Sequence, residues 1–161
     1  MINEYPSGVG IAAHEDGPAY FPLVATVSLG ASGVLDLYDK QSDDFSQRSR
    51  TDVGAAVVGN SRIEPKWRIL QEPCSLLITT GELYAGVLHG IKDCTVDEGL
   101  DGSGIINWEL LREESREICR RGGGRMERGE RISITIRDVV KVRDFGKVLP
   151  GFNGSSGSGK R

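Results

Sequence analysis

The chain has few of the residues from which most metal and redox sites are built. It offers two histidines and three cysteines in 161 residues, so any metal site must be economical. Cys74, Cys94 and Cys119 are odd in number and far apart, and no CxxC occurs. That excludes a zinc ribbon or a thioredoxin-type pair and points to a reduced, intracellular setting. No apolar run approaches the roughly 18 residues that a membrane helix needs. The opening Met1-Ile2-Asn3-Glu4-Tyr5-Pro6 has neither the basic nor the apolar stretch of a secretory signal. No GxGxxG follows a strand and no GxxxxGK[ST] is present, so no nucleotide-binding turn is visible. An excess of positive charge is missing too. With 20 Lys+Arg against 23 Asp+Glu the net charge is −3, which does not suggest a chain held on nucleic acid by bulk charge.

What is present is strand signal. The hydrophobic share of 38% supports a folded core. Runs with β-branched and alternating residues occur at 2–5, 11–15, 23–29, 34–38, 67–71, 75–79, 83–91 and 131–140. One helix is expected from about Trp108 to Arg121, capped by Asn107 and stopped by Gly122-Gly123-Gly124. Trp108, Leu111 and Ile118 lie on or near one face of it, and Glu117 and Arg121 stand at ion-pair spacing. Many short strands and a single helix argue for a mainly β chain, an antiparallel barrel or jelly roll with one inserted helix. The core is expected over 1–142, with a loop insertion at 39–66 and a helix-bearing insertion at 92–130. Residues 143–161 end in GSSGSGKR and are expected as a flexible, low-complexity tail.

The chemistry-bearing residues lie on these strands. His14 and Asp16, two apart, point the same way along an extended segment. His89 sits near the end of a later strand. Two imidazoles and one carboxylate on one face of an ion leave three positions open, the arrangement of non-haem Fe(II) oxygenases. In Arg131-Ile132-Ser133-Ile134-Thr135-Ile136-Arg137 two arginines and two hydroxyls share one strand face and three isoleucines the other. The polar face suits an anion, because guanidinium groups bind carboxylates as a fork. Arg120, Arg121, Arg125 and Arg128 form a basic cluster whose interleaved glycines and glutamates favour a solvated loop over a phosphate site.

These residues resemble a known family. Asn3-x-Tyr5, His14-x-Asp16 eleven residues after Asn3, VATVSLG, His89-Gly90-Ile91 and Arg131 with Arg137 look like the AlkB family of Fe(II)/2-oxoglutarate dioxygenases. The likeness covers about residues 2 to 142. HEDGPAYFP (14–22), TVSLG (26–30), SLLI (75–78), LHGI (88–91) and RISITIR (131–137) look most like the family's homologue-six branch. The resemblance implies a double-stranded β-helix. It implies that His14, Asp16 and His89 bind Fe(II), and that Asn3 and Tyr5 hydrogen-bond 2-oxoglutarate. Arg131 would pair with the distal carboxylate of that cosubstrate, and Arg137 would lie nearer the metal end beside Asp16. The implied reaction uses O₂ to demethylate alkylated DNA or RNA oxidatively, in the cytoplasm or nucleus.

Two departures qualify this. Pro18 stands where several nucleic-acid-demethylating relatives carry an acidic residue that reads the base, so base recognition differs or is absent. Met1 directly precedes the first core strand, whereas family members carry a long preceding segment with helices that back the sheet. The sequence is therefore expected to be N-terminally truncated, and the isoleucine face of the last strand to be poorly covered, leaving the chain marginally stable. Two alternatives stay open: a dioxygenase acting on protein or a small molecule, and a truncated, inactive metal-binding module. Oligomeric state is not readable.

Overall fold

The structure, a computed structural model, describes residues 1–40 and 64–139. Most of the expected 39–66 insertion and all of the 143–161 tail therefore fall outside the described residues. Ten strands occur among the described residues: β1 (Ile2–Tyr5), β2 (Ile11–His14), β3 (Tyr20–Gly30), β4 (Gly33–Asp39), β5 (Trp67–Gln71), β6 (Ser75–Thr80), β7 (Val87–Ile91), β8 (Val96–Asp97), β9 (Met126–Glu127) and β10 (Arg131–Val139). The described residues also hold two helices, α1 (Gly81–Ala85) and α2 (Glu113–Arg121), and a 3-10 turn at Trp108–Leu110. The strands form one four-stranded sheet ordered β1-β10-β3-β6 and a second ordered β2-β7-β4-β5, with β8 and β9 paired apart. Every pairing is antiparallel. The chain is thus mainly β and jelly-roll-like, as its alternating segments imply.

Register assigns each side chain to a face. In the first sheet, Asn3, Ser133, Ser28 and Ser75 stand in one row across four strands, and Tyr5 lies opposite Arg131. Ser28, Arg131, Ser133 and Thr135 are buried, so this polar face looks inward. The opposite rows, Ile2-Ile134-Val27-Leu76 and Ile136-Ala25-Ile78, look outward. Ile2, Leu76, Ile78 and Ile136 are exposed there, while Ile132 and Ile134 are half-buried.

The main hydrophobic cluster sits elsewhere, behind the second sheet. Val34 and Leu70, paired across β4 and β5, pack with Leu100, Ile105, Leu111 and Cys119 from the 92–130 insertion. The insertion is a third layer that supplies most of this core. A buried fork fastens it: Arg128 Nε and Nη2 donate to Asp97 Oδ2 and Oδ1 at 2.7 and 2.6 Å. Arg128 is thereby a buried structural cation and not part of an exposed basic patch. Arg120, Arg121 and Arg125 are engaged with Glu113, Glu117 and Glu98 at the surface.

Three local expectations are corrected. The 83–91 strand begins only at Val87. Gly81, at φ +57°, turns the chain out of β6 into α1, and Gly86 N closes that turn on Glu82 O. The 108–121 helix is broken. Leu111 is extended so that its side chain enters the core, and α2 starts at Glu113, with the Glu72 carboxylate accepting from Arg112 N. Ile118 consequently faces solvent, whereas the Glu117–Arg121 pair forms at 2.7 Å. Asn107 does not cap with its side chain. Its amide accepts from Leu70 N at 3.0 Å and donates to Leu70 O at 2.9 Å. β5 is an edge strand, and this two-bond clasp satisfies the groups an edge leaves open.

Two outcomes follow from these contacts. Asn107→Ala leaves the Leu70 N–H and C=O without partners and should cost about 1–3 kcal/mol in chemical denaturation, with Asn107→Asp recovering only the acceptor half. Asp97→Asn strips a buried arginine of its counter-charge and should cost about 3–5 kcal/mol. Unaltered midpoints would show that the insertion is not fastened through these groups.

Candidate metal and cosubstrate site

His14 ends β2 and His89 lies within β7, directly opposite one another in the strand pairing. The two imidazole centroids are therefore 4.5 Å apart. Gly90 lets β2 lie this close, since a Cβ there would meet Ala13 Cα and N and Ile11 O at 3.0 Å. Asp16 follows β2 on the loop that turns through Gly17, at φ +77°. The ligand atoms of His14, Asp16 and His89 all lie within 4.8 Å of one another.

Each group is prepared for a cation. His14 Nδ1 lies 2.8 Å from Ala12 O; donating that proton leaves Nε2 with its lone pair free. Burial and the adjacent His14 push the His89 pKa below its ordinary value, against the pull of Asp16, which favours the neutral, ligating form. Asp16 Oδ1 is buried and has no hydrogen-bond partner, although Arg137 Nη2 contacts it as an ion pair. A buried carboxylate beside two imidazoles, its charge shared with a single guanidinium, fits a divalent metal's donor set.

The arginine strand meets this cluster from the facing sheet. Arg137 touches Asp16 and lies over the Tyr20 ring, 5.2 Å from Cζ to centroid. Arg131, on the same inner face, is only 4% exposed. Its Nη2 donates to Ser28 Oγ and to Gln71 Oε1, both at 2.8 Å, and its Nε is buried without a partner. Burial pulls its pKa down. Among the described residues no carboxylate pairs with it, and Tyr5 lies beneath it at 5.5 Å. A small cavity opens between Tyr5, Ser32, Gly33 and Arg131. A buried, uncompensated guanidinium with spare donors fits a carboxylate-bearing ligand. Asn3 stands opposite Ser133, half-buried in the row next to Tyr5 and Arg131.

All seven residues singled out from the sequence thus lie at the inter-sheet face or on the Asp16 loop beside it. Sequence reasoning missed the neighbours that hold them. Gln71 and Ser28 fix Arg131, and Tyr84 donates to Gly17 O at 2.9 Å, tying α1 to the loop after Asp16. Gln71 left one signal, a polar residue ending the Trp67-x-Ile69-x-Gln71 face of an otherwise apolar alternation.

No protein-family model matches the chain. A zebrafish (Danio rerio) protein named probable RNA/DNA demethylase ALKBH6 is 30% identical to it over 145 residues, which make up 88% of this chain and 53% of that protein. The chain spans about half the length of the curated relative it matches. That relative is of the branch which HEDGPAYFP and RISITIR resemble. The chain is a homologue of the AlkB family, most like ALKBH6.

Proposed function

We propose that this chain carries the Fe(II)- and 2-oxoglutarate-binding site of an AlkB-type dioxygenase that oxidatively demethylates alkylated DNA or RNA. One observation supports this above the others. A two-histidine, one-carboxylate cluster and a buried arginine with no acidic partner among the described residues are presented from two facing sheets. His14, Asp16 and His89 would hold the iron on one face. Arg131 would receive the distal carboxylate of 2-oxoglutarate, with Tyr5 and Asn3 supplying polar contacts along β1. Arg137 would hold Asp16 in place while adding positive charge at the metal end. Bound iron would supply O₂ activation, in which 2-oxoglutarate is oxidised to succinate and CO₂ and a substrate N-methyl group gains a hydroxyl, then leaves as formaldehyde.

The protein's own part is orientation and charge. Neutral imidazoles leave the carboxylate as the only anionic ligand, and the Ala12 carbonyl fixes which nitrogen of His14 points inward. The hydroxyl rows of β3 and β10 line the inter-sheet face without adding negative charge. Pro18 is exposed on the loop beside Asp16, where it offers neither donor nor charge to a base edge. With the net charge of −3, this favours a second reading, a peptide or small-molecule substrate for the same site. Both readings place the enzyme in the cytoplasm or nucleus. Succinate release, screened over methylated oligonucleotides and methylated peptides, separates them: stimulation only by peptides would overturn the nucleic-acid reading.

Two measurements test the site itself. His14→Ala and His89→Ala each remove one of three protein ligands, so stoichiometric Mn(II) or anaerobic Fe(II) binding and 2-oxoglutarate turnover should both disappear. Retention of wild-type metal binding by either variant would refute the ligand set. Arg131→Ala should keep the metal but weaken 2-oxoglutarate binding by about 2–5 kcal/mol, and Arg131→Lys should recover little because an ammonium cannot replace the fork. Unchanged affinity in both would move the carboxylate seat elsewhere.

A further inference from the structure

The holders of Arg131 have a property of their own: both are neutral. Ser28 reaches it from β3 of one sheet and Gln71 from β5 of the other, so the guanidinium is gripped from both sides of the interior. Gln71 is itself buried, at 4% exposure, and Ser28 is fully buried. The stem of Arg131 runs past Gly33, Gln71's partner across the β4–β5 pair, where a Cβ would meet Arg131 Cδ at 3.0 Å. This end of the β4–β5 pair is shaped around the arginine.

A glutamate would fit the Gln71 position almost atom for atom. It would also bind Arg131 more strongly, since a charge-assisted bond is roughly twice as strong as a neutral one. Such a pair would neutralise the cation and occupy the donors a ligand needs. The neutral amide instead supplies direction and leaves the charge free. We propose that Gln71 is a positioning residue for the cosubstrate. It aims the Arg131 guanidinium and, by being uncharged, keeps that seat open to the distal carboxylate of a 2-oxo dicarboxylic acid. This rests on the 2-oxoglutarate reading above.

The test uses the full chain loaded with Mn(II), with two ligands followed by water-proton relaxation: 2-oxoglutarate, and pyruvate, which shares the 2-oxo acid end but lacks the distal carboxylate. Gln71→Glu should weaken 2-oxoglutarate by about 30-fold, on the scale of close charge pairs, leave pyruvate within about twofold, and not lower the melting temperature. Gln71→Leu, which removes the acceptor without adding charge, should weaken 2-oxoglutarate by about three- to tenfold, as expected for one net hydrogen bond, again with pyruvate spared. A residue that merely supports the fold would affect both ligands together and lower the melting temperature. Equal losses for the two ligands, or wild-type 2-oxoglutarate affinity in Gln71→Glu, overturn the proposal. Arg131→Ala, run alongside, separates the levels. If it loses 2-oxoglutarate and Gln71→Glu does not, only the role of Gln71 fails. If Arg131→Ala binds 2-oxoglutarate as wild type does, the cosubstrate reading fails and this inference with it.

Discussion

A guanidinium buried between two sheets, with no counter-charge among the described residues, is the constraint around which this interior is arranged. Desolvating a charge is expensive, and the cost is bearable only where hydrogen bonds satisfy the group. Arg131 meets that condition partly: Ser28 and Gln71 take Nη2, and Nε is left over. The two acceptors belong to different sheets, so the cation also fixes how the sheets sit against each other at this end. Gly33 follows from the same demand, because the arginine stem fills the space where a side chain would be. At the other end of β10, Arg137 and Asp16 bring the same strand to the His14–His89 pair. A single nine-residue strand thereby ties the Arg131 pocket to the His14–Asp16–His89 cluster.

This use of the inter-sheet space moves the apolar core elsewhere. In a common sandwich the inner faces interdigitate as the core. Here the main cluster of buried apolar residues lies on the far side of the second sheet, against the 92–130 insertion. The insertion therefore compensates for a polar interior. It is held by the Arg128–Asp97 fork, by the Asn107 clasp on β5, and by Arg68, whose Nη1 donates to Glu98 O at 2.8 Å while Nε pairs with Asp36. Burial raises the pKa of Asp36 despite Arg68, which marks this face of the sheet as well sequestered from water.

What could be read from the sequence was whatever has a short period. Alternation in RISITIR separates the Arg131, Ser133, Thr135 face from the isoleucines, and the structure keeps that division. His14 and Asp16 share a side because they are two apart. What could not be read needs register or long-range pairing. His14 lies opposite His89, 75 positions further along the chain, because β2 joins β7, and no local pattern encodes that. Gln71 meets Arg131 across 60 residues, and its burial is invisible where it looks like a strand-end polar residue. Arg128 looked like one of four exposed arginines because its partner Asp97 lies 31 residues away. Asn107 has the right chemistry for a helix cap, but the unpaired edge of β5 makes two bonds with it where a cap makes one.

The polarity of β10 is inverted relative to an ordinary surface strand, and this has a consequence for the whole sheet. Arg131, Ser133 and Thr135 are buried, whereas Ile136 is 56% exposed, and Ile78 in its row and Ile2 and Leu76 in the next are exposed to similar degrees. A face carrying that many exposed branched side chains forgoes burial worth roughly 1.5–3 kcal/mol for each fully covered residue. The site accounts for the inversion. The inward row carries the Arg131, Ser133 and Thr135 side chains, and strict alternation then sends every second residue of β10 outward. β3 repeats the choice, with Ser28 and Thr26 inward and Val27 and Leu29 outward. With the polar residues of β10 and β3 turned inward, the isoleucines, Val27 and Leu29 form the outer face. Among the described residues the packing of this face falls to neighbouring side chains of the same sheet, which is why Ile132 and Ile134, flanked on both sides, are half-covered while the outlying isoleucines are not.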